Sequence, residues 1–111
     1  FGTEGTPDCS CIKPYDDLLN GPRVYYDVKH CPNVVAMLAG HVHFDNLLYD
    51  DRILSVTTQC SLVQEWAPTC PRRVCGTASE TAFDAVSIKG NMLYLTRFGA
   101  GEHRCGMLRE V

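Results

Sequence analysis

The chain has 111 residues, 45% apolar and 21% charged, a composition that excludes intrinsic disorder. A chain of this size buries about two-thirds of its unfolded surface, enough for one modest core. The formal net charge is −3, and the only adjacent basic residues are Arg72-Arg73, so nothing in the charge pattern offers nucleic acid a surface. No apolar run approaches the ~20 residues that span a bilayer.

The opening FGTEGTPDCSC carries no basic-then-apolar signal pattern, and the first methionine is Met37. The expectation is a single partial domain over residues 1–111, either a mature processed chain or a fragment, with its location left open and the cytoplasm slightly favoured. Seven cysteines are many for this length, and the odd number leaves one thiol outside any closed disulfide framework. In a reducing compartment they would be thiols, several buried as small hydrophobes.

Taken in order, residues 1–11 read as loop. Residues 15–19 allow a helical turn or two, stopped by Asn20-Gly21-Pro22. Residues 24–28 read as a short strand. Residues 34–39 (VVAMLA) form a continuous apolar run ended by Gly40, the pattern of a central strand buried on both faces. Asp50-Asp51 reads as a turn between residues 46–49 and the β-branched strand 52–58. Residues 61–79 carry Pro68, Pro71 and Gly76 and read mostly as loop. Residues 81–88 and 92–98 flank Lys89-Gly90-Asn91 and predict a β-hairpin.

The chemistry-bearing motif is Gly40-His41-Val42-His43, directly after the apolar run. Imidazole is a common ligand for divalent metals near neutral pH, and loops beyond strand ends often carry binding residues. Gly40 releases the chain from the strand, so that the two rings can turn toward different ions. Two ordinary surface histidines are the plainer account of a bare His-x-His.

VVAMLAGHVH, followed by strand–turn–strand, resembles the last metal-binding block of the calcineurin-like metallophosphoesterases. The later AFDAVSI…NMLYLTRFGAGE resembles the closing strands of a bacterial-type subgroup of that family. The resemblance spans residues 34–102. It implies an α/β, β-rich fold: part of a β-sandwich flanked by helices, with the N-terminal half absent. It also implies hydrolysis of a phosphomonoester or phosphodiester at a dinuclear centre of divalent ions (manganese, iron or zinc). His41 and His43 would each bind a different ion.

The family's earlier blocks, Asp-x-His, Gly-Asp-x-x-Asp and Gly-Asn-His-Asp/Glu, do not occur in the chain. Two histidines leave such a centre short of ligands, so the isolated chain is expected to be inactive, and to self-associate or dock onto a complementing fragment. The alternative is a zinc-stabilised binding or structural module without catalysis. It would be built from His30-Cys31, His103-x-Cys105, Cys9-x-Cys11 and Cys70-x₄-Cys75. Cys70 and Cys75 could instead pair as a loop disulfide if the protein is exported. Asp45 could orient a ligand histidine or simply be a solvated loop carboxylate. Arg97 could meet a phosphate or make a surface ion pair. Trp66 and Tyr94 read as core aromatics or substrate contacts. Gly99-Ala100-Gly101 lacks the strand-to-helix setting of a nucleotide loop.

Overall fold

A computed structural model of the chain describes residues 21–40, 43–62 and 70–111. The described residues are β-rich, with one short α-helix and two three-stranded sheets. The helix, α1, runs Gly21–His30, where residues 24–28 had read as a strand. Val24, Tyr25, Tyr26 and Val28 are good strand formers, but local pairing at helical spacing outweighs that preference. Pro22 is tolerated in the first turn, where its missing N–H has no intrahelical partner to lose. Arg23 Nε donates to Asp27 Oδ2 at 3.0 Å, and the Tyr26 and His30 rings stack at 4.0 Å, both at i,i+4. Lys29 and His30 sit in the last turn, where positive charge suits the helix dipole. The predicted turn at residues 15–19 lies outside the described residues.

The first sheet joins β1 (Ala36–Ala39), β2 (Asn46–Asp50) and β3 (Ile53–Thr57) in the order β1-β3-β2. β1 runs parallel to β3, and β2 antiparallel. The β2–β3 hairpin turns on Asp51 (φ 49) and Arg52 (φ 67), one residue later than expected. Positive φ at both central residues is the type I′ pattern, whose twist matches that of the strands.

The run at residues 34–39 departs from expectation. Among the described residues β1 is an edge strand with β3 as its one neighbour, and Leu38 is 52% exposed. The apolar sequence is that of a central strand, but nothing described lies beyond its second edge.

The second sheet is an antiparallel meander of β4 (Ala82–Lys89), β5 (Met92–Gly99) and β6 (Arg104–Met107). The predicted hairpin forms, and Lys89 pairs with Met92 across the two-residue turn Gly90-Asn91. Gly90 takes φ 60 and Asn91 does not, the pattern of a type II′ turn. The sequence reading missed β6, whose Arg-Cys-Gly-Met carries a weak strand signal.

Leu54 and Val56 of β3 meet Leu93 and Leu95 of β5, with Leu108 closing the cluster and Val35, Ala36 and Leu47 packed around it. Gly106 of β6 permits close approach, because a Cβ there would come within 2.7 Å of the Leu54 methyls. β6 lies toward β2, with the Met107 amide donating to the Tyr49 hydroxyl at 2.7 Å. β4 therefore overhangs the β1 side. Val86 and Ile88 sit opposite Leu95 and Leu93, on the face turned to the core, yet are 47% and 60% exposed. Leu38, opposite Val56, is on the corresponding face of the first sheet. Among the described residues the space between the sheets is thus open along its β1–β4 flank.

Candidate functional site

The candidate site lies beyond the C-terminal end of β1. His41 lies outside the described residues. His43 is half-buried with φ 60, a left-handed conformation uncommon for a residue bearing a Cβ. The described residues on either side, Ala39 and Asp45, are held by the residues that follow β3. The Thr58 amide donates to Ala39 O at 3.0 Å, and the Gln59 amide donates to Asp45 Oδ1 at 3.1 Å. The Cys70 thiol lies 3.9 Å from His43 O.

Asp45 is neither a solvated loop carboxylate nor a turn former. Arg97 forks onto it, Nη1 to Oδ2 and Nη2 to Oδ1, each at 2.7 Å. Gln59 Nε2 adds a bond to Oδ2 at 2.9 Å, and Arg104 Nη2 stands 3.3 Å from Oδ1. The Arg97 side chain is 1% exposed, so its ion pairs are buried rather than at the surface. Its Nε donates to Asp84 Oδ1 at 2.8 Å, and Arg104 Nη2 donates to Asp84 Oδ2 at 2.8 Å. The Thr58 hydroxyl also donates to Asp84. Two guanidinium and two carboxylate groups therefore neutralise one another in a cluster that ties the first sheet to the second, as burial of charge requires.

Burial pushes the Asp84 carboxyl up, but bonds from Arg97 and Thr58 with the nearby Arg104 charge outweigh it and hold the group at about 2. For Asp45 too, burial acts upward and the Arg97 and Arg104 charges prevail, leaving it below the usual carboxylate range. Asp45 hydrogen bonding, opposed by burial and aided by Asp84, raises Arg97 above the ordinary arginine range.

The Gly99-Ala100-Gly101 turn belongs to this cluster and not to a nucleotide site. Ala100 O accepts from Arg97 Nη1 at 2.8 Å and from Gln59 Nε2 at 3.0 Å. Gly101 has φ 106, and a Cβ there would stand 2.2 Å from Arg97 Nη1. The sequence reading did not single out Asp84, Arg104 or Gln59 for this role.

The remaining candidates scatter. Tyr94 is 40% exposed on the outer face of β5 and so is not a core residue; Trp66 lies outside the described residues. His103 Nδ1 accepts from the Arg97 amide at 2.9 Å, and His30 Nδ1 lies 2.7 Å from Tyr26 O. Cys75 is a free thiol 3.5 Å from Glu80 Oε1, so the Cys70–Cys75 disulfide is not formed. Cys9 and Cys11 lie outside the described residues. Among the described residues no three His, Cys, Asp or Glu side chains gather as a metal site, and no helix is long and apolar enough to cross a membrane. No protein-family model, no curated protein and no solved structure matches the chain.

Proposed function

We propose that the chain is the C-terminal part of a metal-dependent phosphoesterase, in which His41 and His43 each contribute one imidazole to a pair of divalent ions. The observation that carries this reading is the setting of His43. It lies just past the C-terminal end of a strand in parallel pairing with its neighbour, in a left-handed conformation, between Ala39 and Asp45, which are each held by hydrogen bonds. In open α/β sheets ligands gather in the crevice beyond the carboxyl ends of the strands.

The donor set fits as a partial one. Imidazole nitrogen suits iron or zinc, manganese would lean on the carboxylates of the set, and a one-residue separation would let each ring address its own ion. The remaining ligands, carboxylates among them, would come from polypeptide beyond these 111 residues. When bound, the ions supply activation of water and stabilisation of charge on the phosphoryl oxygens. His41 and His43 would supply nitrogen donors, and the hydrogen-bonded Asp45 limits how far the His43 backbone can drift. The substrate class is a phosphomonoester or phosphodiester. The open flank at Leu38, Val86 and Ile88 supports the same reading, since further strands packed there would complete both sheets. A complementing segment or a second copy of the chain would serve.

The reading predicts that the ions are peripheral to folding. EDTA should leave the far-ultraviolet circular dichroism and the melting temperature of the chain unchanged, because the core is the apolar cluster of Leu54, Val56, Leu93 and Leu95. His41→Ala and His43→Ala should each weaken manganese binding. Unfolding by EDTA, with a stoichiometric zinc that disappears on substituting Cys9, Cys11, Cys70 and Cys75, would favour the zinc-module alternative instead.

A further inference from the structure

We infer that the chain pairs with a second copy of itself, β4 against β4 in antiparallel register about a twofold at Val86. The inference is independent of the metal reading above. Among the described residues β4 is the longest strand with a free edge, 8 residues against 4 in β1 and β6 and 5 in β2. The devices that usually blunt such an edge do not occur in it. It has no proline, and its pairing with β5 runs on without a bulge. Its charged residues are Asp84, spent on Arg97, and Lys89 at its very end.

The alternation of hydrogen bonds along the hairpin decides which backbone groups are left over. Lys89 and Met92 close the two-residue turn as a hydrogen-bonded pair, so Ser87, Ala85 and Phe83 also bond to β5. The N–H and C=O groups of Ile88, Val86, Asp84 and Ala82 therefore point to the free edge. The Ala82 amide bears this out, since it donates away from β5, to Ser61 O at 3.0 Å. That bond occupies one end of the edge. Among the described residues it leaves open donors at Asp84, Val86 and Ile88, every second position. Setting Val86 opposite Val86 of the second copy places each Asp84 opposite an Ile88 and satisfies all of these donors on both chains. A slip of two residues sets Ile88 against the occupied Ala82, or Asp84 against the turn at Gly90. A slip of one turns the second copy's Val86 and Ile88 to the opposite face. In the proposed register Val86 and Ile88, 47% and 60% exposed, extend the apolar inner face across the joint. On the outer face Lys89 of one copy lies opposite Phe83 of the other. Phe83 stacks on Phe98 with ring centroids 5.1 Å apart, an aromatic surface that attracts a cation, and no like charges face each other. A single strand joint falls below the ~1,200 Å² of a standard interface, so pairing belongs to concentrated protein and the dilute chain is a monomer.

The test is sedimentation equilibrium of the 111-residue chain from about 10 µM to about 1 mM, with amide hydrogen exchange at both ends of that range. A shift from monomer to dimer is expected. Exchange at Asp84, Val86 and Ile88 should slow about tenfold or more in the concentrated sample, while Ala82, Phe83, Ala85 and Ser87, bonded in both forms, keep their rates. Val86→Pro removes an N–H that points away from β5, a change that an edge strand accommodates. Val86→Lys sets two like charges across the twofold. Each should raise the dimer dissociation constant about tenfold or more, with circular dichroism unchanged. If Val86→Pro does not fold, Val86→Lys decides alone. A chain that stays monomeric throughout overturns the inference. So does a dimer that leaves Asp84, Val86 and Ile88 unprotected, or one whose dissociation constant is unaltered in Val86→Lys.

Discussion

Replacing Asp84 by alanine is expected to destabilise the fold by about 3–5 kcal/mol, the range for breaking a buried ion pair from one side. The Asp84 side chain is 5% exposed and receives bonds from Arg97 Nε and Nη2, Arg104 Nη2 and the Thr58 hydroxyl. Its loss leaves two guanidinium groups sharing Asp45 alone, one of them almost fully buried. Chemical denaturation of wild type and variant measures the difference. A value under 1 kcal/mol would mean that water reaches the cluster freely. The same carboxylate sets an acid limb. Its folded value of about 2 lies below the ordinary aspartate value of about 3.9, so the stabilisation is complete above the unfolded value. Stability should therefore stay level down to about pH 5 and fall as the pH drops through about 4 toward 2. Asp84→Asn should be less stable at neutral pH and show a shallower decline over that window. Asp45 shares Arg97 and Arg104 with Asp84 and is also held below the usual carboxylate range, so the difference between wild type and Asp84→Asn over that window isolates the Asp84 contribution.

Leu54→Ala should cost a similar amount, about 2–5 kcal/mol, by a different route. Leu54 is fully buried, packs against Leu93 and Leu95, and lies directly beneath Gly106. Removing its methyls opens a void in the one layer where β3, β5 and β6 meet. For a chain of this size each kcal/mol shifts the melting temperature by roughly 4 °C, so a fall of about 10 °C or more is expected by calorimetry. Val86→Ala, in the open flank, should shift it little. Equal effects at the two positions would mean that the β1–β4 flank is closed in solution.

Much of the second sheet was legible from the residues. In β5, Leu93, Leu95 and Arg97 alternate with Tyr94, Thr96 and Phe98, and Gly90-Asn91 marks the turn. Granted that turn, the register follows, and it sets Asp84 directly opposite Arg97, a cross-strand pair of opposite charge. The ion pair was therefore within reach of the sequence. Its burial was not. The bonds to Asp45 join residues 52 apart on different sheets, and only the packing of β5 over β3 brings them together.

Other elements resisted for local reasons. α1 is built of residues with strand preferences, held as a helix by Arg23–Asp27 and Tyr26–His30 pairs whose spacing a scan for apolar alternation passes over. The apolar run at residues 34–39 identified a strand correctly but not its place, since nothing in VVAMLA distinguishes a central strand from an edge that awaits a neighbour. Gly99 and Gly101 were noticed as a pair. Their purpose, admitting the Thr81 carbonyl and the Arg97 guanidinium to within reach of the turn, depends on atoms distant in sequence.

The most direct test of the central claim is catalytic. The natural gene product carrying residues 1–111 should be assayed against an aryl phosphomonoester and an aryl phosphodiester with Mn²⁺, beside the 111-residue chain alone and the His43→Ala variant of the full product. The account predicts turnover by the full product, loss of at least a hundredfold of it in His43→Ala, about the cost of removing one well-placed electrostatic stabiliser, and background hydrolysis by the isolated chain. Robust turnover by the isolated chain, or turnover by the full product that survives His43→Ala, would contradict it.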